Sequence, residues 1–185
     1  MHAINPWGMK HGRRVNPNNV DLNRNFVWDE ADLNAAANPK YRFLNKFLNP
    51  TGPIRNLALL KVNFFFSLIK NLVSHGQTTM KAVMLMGQYA FPQGLYFGGQ
   101  QWQAETQVLM GLYREMIPNY DQIVHLDMHT GYGPRYQMSL VNSAWEVRSG
   151  LALREAFDYP LVVAATPDEF YTMHGDMVED RKSGS

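Results

Sequence analysis

From Tyr41 onward the chain repeats one alternation: a segment with apolar residues at helical spacing, then a loop or a short apolar run that stops at a glycine or proline turn. That pattern limits the fold more than any other feature, because helices alternating with short apolar strands call for layered α/β packing. The segment 56–74 is the clearest helix. Leu60, Phe64, Phe65, Leu68, Ile69 and Leu72 lie on one face, and Asn63, Ser67, Lys70, Asn71 and Ser74 on the other. The run Phe64-Phe65-Phe66 therefore reads as core. Further helices are expected over Tyr41–Leu48, stopped by Pro50 and Gly52, and over about Ala104–Ile117, ended by Pro118. Another is expected over Trp145–Phe157, and one from Thr78 or Thr79 through "MKAVMLM", where a strand is the alternative. Ile123–Met128, Met138–Asn142 and Leu161–Ala165 read as strands. The expected fold is α/β, a three-layer α/β/α arrangement with a mixed sheet, incomplete at both ends, and with the strand through His125–Met128 at its centre. Its 185 residues make one domain, or most of one, taken as a partial domain over 1–180 with a tail at 181–185.

Composition narrows the function. Hydrophobic residues at 45% suffice for a real core, while a net charge of +1 with 18% charged residues gives no bulk signal for a nucleic-acid or membrane partner. The absence of cysteine excludes disulfides and thiolate metal sites. The first residues lack the apolar core of a signal peptide. The apolar stretch Leu57–Ile69, interrupted by Lys61, Asn63 and Ser67, is too short to span a bilayer. These features fit a cytoplasmic protein.

The polar chemistry sits in loops and at strand ends. "HAINPWG" reads as a strand running into a turn, and residues 8–40, rich in Asn, Gly and Pro, as a long ordered loop. Within it, "VNPNNVDLNRNF" sets Asp21, Asn23 and Arg24 just after Arg13 and Arg14. Arg14 and Arg24 could each hold an anion through charge-assisted bonds, with Asn23 adding a donor. The plainer alternative is an Asx-rich loop held by its own side chains, with the arginines in solvent. "QYAFPQGLYFGGQ" (88–100) lacks the spacing of a phosphate-binding loop and reads as a packed surface loop. In "HLDMHTGYGP", a strand would point His125, Asp127 and His129 to one side, just before a glycine turn. Such a histidine could ligate zinc, or simply close the strand with a hydrogen bond.

In this order and spacing, "NPWG", "RRVNPNNVDLNRNF", "GQYAFPQGLYFGG" and "LDMHTGYGP" resemble the zinc metallocarboxypeptidase family, and within it a bacterial carboxypeptidase-like branch of unsettled substrate. The resemblance implies zinc as cofactor, with His129 as its third protein ligand. It implies that Arg14, rather than Arg13, polarises the scissile carbonyl, and that Asn23 and Arg24 hold the substrate's terminal carboxylate. It also implies that Asp21 orients a zinc-binding histidine, while the strand alternation itself sets Asp127 on the face of His129, where it could orient that ligand.

The same resemblance places two zinc ligands in a His-x-x-Glu motif ahead of the "NP" turn and a catalytic glutamate on a late strand. Neither is recognisable here, so the chain reads as a fragment, inactive by itself and with weak or absent zinc binding. The implied reaction is hydrolysis of an amide bond next to a carboxylate, in a peptide or an N-acyl amino acid. A deacylase and a carboxypeptidase both fit. The competing expectation is a non-catalytic relative that folds and at most binds carboxylates. No nucleic acid or membrane is expected as partner, and unpaired sheet edges could lead to self-association.

Overall fold

The computed structural model describes residues 3–27, 29–34, 38–53, 55–128, 135–142, 146 and 148–163. Their regular structure is a mixture of helix and sheet. The helices are α1 (Pro6–His11), α2 (Tyr41–Leu48), α3 (Leu57–His75), α4 (Gln77–Leu85), α5 (Ala104–Met116) and α6 (Gly150–Phe157). The strands are β1 (Leu140–Val141) and β2 (Val162–Val163), with 3₁₀ turns at Leu22–Arg24, Glu30–Asp32 and Ile117–Asn119.

Local chemistry sets most boundaries. Asn5 caps α1 by accepting from Gly8 N at 2.8 Å, Pro6 fits the first turn, and Gly12 closes the helix at φ 60°. This helix replaces the strand expected at "HAINPWG", because a capping asparagine followed by proline starts a helix. Asn56 caps α3 by accepting from Leu59 N at 3.1 Å, and Gly76 ends it. Helix α4 starts at Gln77, and α2 matches its expected span. Helix α6 begins only at Gly150, where Ser149 caps it through Ala152 N.

β1 and β2 pair in parallel, Leu140 opposite Val162 and Val141 opposite Val163, with α6 as the crossover between them. This is the only ladder of named strands among the described residues. The central strand expected over Ile123–Met128 is not formed: residues 121–128 carry no ladder. Their period-two alternation persists, but in the opposite sense to a core strand. His125 and Asp127 are half-buried, while Val124, Leu126 and Met128 are 70%, 65% and 75% exposed. A strand needs a hydrogen-bonding neighbour, and no described segment supplies one here.

Three apolar clusters form the core. Val20, Leu22 and Phe26 pack with Phe97 and with Leu109 and Met110 of α5. Tyr41 and Leu44 of α2 pack with Met80 and Val83 of α4. Val27, Leu33 and Tyr89 form the third.

Helix α3 lies against α2 and α4 but contributes no buried residue. Phe64, Phe65 and Phe66 are 50%, 59% and 70% exposed, so the core role expected of them does not hold. Phe64 stacks on Phe47 at 5.2 Å, and Ser67, Leu68 and Asn71 are the half-buried positions around it. The helix faces the protein with part of its polar side and turns much of its apolar arc outward. It also runs six residues beyond Ile69, and at 19 residues it is long and apolar enough, on those two criteria, to cross a membrane.

Candidate functional site

The segment from Asn16 to Phe26 is an Asx-rich turn that largely builds itself. Asn16 Oδ1 accepts from Asn18 N and Val20 N, both at 3.0 Å, and Asn16 N donates back to Val20 O. Asn16 Nδ2 donates to Gln103 Oε1 at 2.9 Å, which ties the turn to the start of α5. The 3₁₀ turn at Leu22–Arg24 then directs Arg24 and Asn25 inward, and both are buried.

Asp21 is the buried end of an ion pair. Its Oδ2 lies 2.8 Å from Arg14 Nε, with side-chain exposures of 60% for Arg14 and 3% for Asp21. A carboxylate this buried needs a cation or several donors to offset its lost hydration. Arg14 meets that need while its own side chain stays at the surface. The pair thus fixes the guanidinium at its inner nitrogen and holds its head at the solvent boundary.

Arg24 is placed differently. It is 2% exposed, and its Nη1 donates to Asn23 O at 2.8 Å. The Gly-rich loop closes over it. A Cβ added at Gly87, whose φ is +75°, would lie 2.7 Å from Arg24 Cδ, and one added at Gly98 would lie 2.7 Å from Arg24 O. Tyr89, itself buried, donates its hydroxyl to Arg24 O at 2.8 Å. Asp21 N donates to Phe97 O at 2.7 Å, and Asn19 Nδ2 to Pro92 O at 2.8 Å. The loop at 88–100 is therefore packed, as expected, and its partner is the Asp-Leu-Asn-Arg-Asn turn.

Asn25 is the hub that sequence reading missed. Its Nδ2 donates to Gly98 O at 2.7 Å and Gln101 O at 3.1 Å, while its Oδ1 accepts from Gln103 N at 2.8 Å and Thr106 Oγ1 at 2.6 Å. All its polar capacity is thereby used at zero exposure. The available signal was the second Asn of "NRN", but nothing local separates it from Asn23, which is half-buried.

His129 lies outside the described residues, so its relation to Arg14, Asn23 and Arg24 is not described. Of its neighbours, His125 Nε2 is 3.0 Å from Tyr113 Oη, with the two rings edge to face, and Asp127 is half-buried. Among the described residues no group of three or more His, Asp or Glu side chains gathers as a metal site. Two open depressions, of about 390 Å³ beside Asn38, Thr78 and Val83 and about 290 Å³ beside Arg154 and Tyr159, do not include the Arg14–Asp21 pair.

Fold and site together define a mixed helix-and-sheet protein whose Asx-rich turn is locked into a Gly-rich loop. The chain belongs to the family described as Protein of unknown function (DUF2817), which it matches over residues 1–182. No curated protein and no solved structure matches it significantly.

Proposed function

We propose that this chain carries the substrate-recognition part of a metallocarboxypeptidase-like hydrolase acting on an amide bond next to a carboxylate. The observation that supports the reading best is the Arg14–Asp21 pair: a surface guanidinium anchored at Nε by a buried carboxylate. Such anchoring fixes the position of the guanidinium, so that its contact with a substrate oxygen carries little further ordering cost. Asn23 adds an amide at the same turn. Arg24 contributes to the clamp only where a substrate reaches it beneath the Gly-rich loop.

Zinc, which the resemblance to the carboxypeptidases implies, would take His129 as one ligand, and the described residues do not complete a site for it. No step is therefore assigned to the metal. We further propose that residues 121–128 form a strand of a larger mixed sheet in a three-layer α/β/α fold, since their alternation is already that of a strand. The burial of Arg24 and Asn25 favours one second reading: a non-catalytic relative in which the turn is a packing device and carboxylates bind at Arg14 alone.

Titration with N-benzoylglycine, followed by NMR, tests the proposal. Arg14→Gln should weaken binding by roughly tenfold or more, as expected for losing a charge-assisted contact. Arg24→Lys should weaken it too under the first reading and leave it unchanged under the second. Binding that is absent, or indifferent to Arg14→Gln, rules out both.

A further inference from the structure

We infer that the outward face of α3 docks on an anionic lipid bilayer, with the basic surface of α2 and α4 around it. The whole chain is nearly neutral, but the charges are segregated. Between Leu33 and Ala104 the sequence holds Lys40, Arg42, Lys46, Arg55, Lys61, Lys70 and Lys81, and not one Asp or Glu. Every one of these cations is exposed. Helices α2, α3 and α4, which contact one another, all lie inside this acid-free segment. A basic surface of this kind is attracted to anionic headgroups, each cation adding to the attraction.

The apolar part comes from α3. Leu59, Val62, Phe66, Ile69 and Val73 follow three-and-four spacing, so they form one stripe, and Phe65 lies beside it. These six side chains are between 50% and 82% exposed. Lys61 and Lys70 fall on either side of the stripe, where their long stems let the ammonium groups reach headgroups while the stripe enters the acyl boundary. The opposite side of the helix rests on the protein over its second half, where Ser67, Leu68 and Asn71 are half-buried, and through the Phe64–Phe47 stack. A helix supported along one side presents one face to lipid, and so lies in the interface rather than crossing it. Charge favours this occupant over a second copy of the chain, since two copies would bring like-charged surfaces together.

Vesicle flotation of the full chain is the test. Vesicles made of equal parts phosphatidylcholine and phosphatidylserine should carry the protein up, while pure phosphatidylcholine vesicles should bind it at least about tenfold more weakly. High salt should reduce the partition to anionic vesicles without any substitution. Phe66→Asp and Val73→Asp, both at exposed positions, should abolish flotation with circular dichroism unchanged. Lys61→Glu combined with Lys70→Glu should weaken it. Equal binding to both vesicle types, no binding, or full binding by Phe66→Asp overturns the inference. So does a concentration-dependent dimer that Phe66→Asp dissolves in the absence of any lipid binding, because the face would then belong to a second copy.

Discussion

Asn25 and Gly98 meet at one point, and each fixes the other's identity. Asn25 has donors and acceptors facing four separate partners, and Gly98 supplies one of the acceptors from a position where a Cβ would lie 2.2 Å from Tyr89 Cε1. Removing the amide strands several buried groups at once, and each costs about 1–3 kcal/mol without its partner. Asn25→Ala should therefore destabilise the protein by roughly 3 kcal/mol or more, near the upper end of what single substitutions do. Gly98→Ala should cost about 1–3 kcal/mol through overpacking against Tyr89 and the Arg24 carbonyl. Both are read from denaturant unfolding, and an Asn25→Ala midpoint equal to wild type would show that Asn25 is not a structural hub. Arg14→Gln should act on both folding and binding: it removes a guanidinium that contacts ligand and the cation that offsets the buried Asp21 carboxylate, so it should lower stability by about 1–3 kcal/mol as well as weaken binding.

Helix α2 shows how an element holds its own titratable group. Tyr41 is buried at its start, donates its hydroxyl to Leu95 O at 2.7 Å and accepts from Asn49 Nδ2 at 3.1 Å. Burial raises its pKa above the usual value; the bond from Asn49 opposes the shift and Tyr96 adds to it. A raised folded pKa means that the folded state keeps its proton longer than the unfolded chain does. The stability from this group is complete below about pH 10 and is lost as pH rises through the folded value. Tyr41→Phe should be less stable at neutral pH by about 1 kcal/mol, and the gap to wild type should narrow in alkali. A constant gap across that range would show that the phenol's ionisation is not linked to folding.

The elements were unevenly legible, for physical reasons. Spacing located α2, α3 and α5 within a residue or so, because a 3.6-residue period over two or more turns is a strong signal. It could not say which side of α3 faces inward. Periodicity reports where apolar residues cluster, and here Ser67 and Asn71 are on the inner side while Phe65 and Val73 are outside. The alternation over residues 123–128 was likewise readable, but ladder formation depends on a distant partner that no local pattern encodes. In the candidate site the Asx-rich turn was visible and its lock was not. Tyr89 and Gly98 become meaningful only once they are folded against Arg24 and Asn25.

At the scale of the molecule, the described surface is unusually apolar in two places: the outer face of α3 and the residues from Ile123 to Met128. Exposed apolar patches of more than a few hundred Å² normally mark contact sites. The parallel pair β1–β2 adds strand edges with no described neighbour. The isolated chain should bind a hydrophobic dye and associate weakly through those edges, and sedimentation velocity should show the association growing with concentration. A compact monomer with no dye binding would count against exposure on either face.

The lock between the turn and the Gly-rich loop also bears on how the chain reaches its fold. Asn25 bonds Thr106 across 81 positions and Asn16 bonds Gln103 across 87. Contacts this distant in sequence form slowly, because the intervening chain must be brought into a closed loop before any of them is made. During synthesis, the ribosome must release a further 81 residues after Asn25 before the bond to Thr106 can form. The helices of the acid-free segment lie inside that loop, and their packing partners, one another together with Phe91 and Tyr96, lie inside it too. They can therefore consolidate first, and the polar turn matures last, around a scaffold already in place.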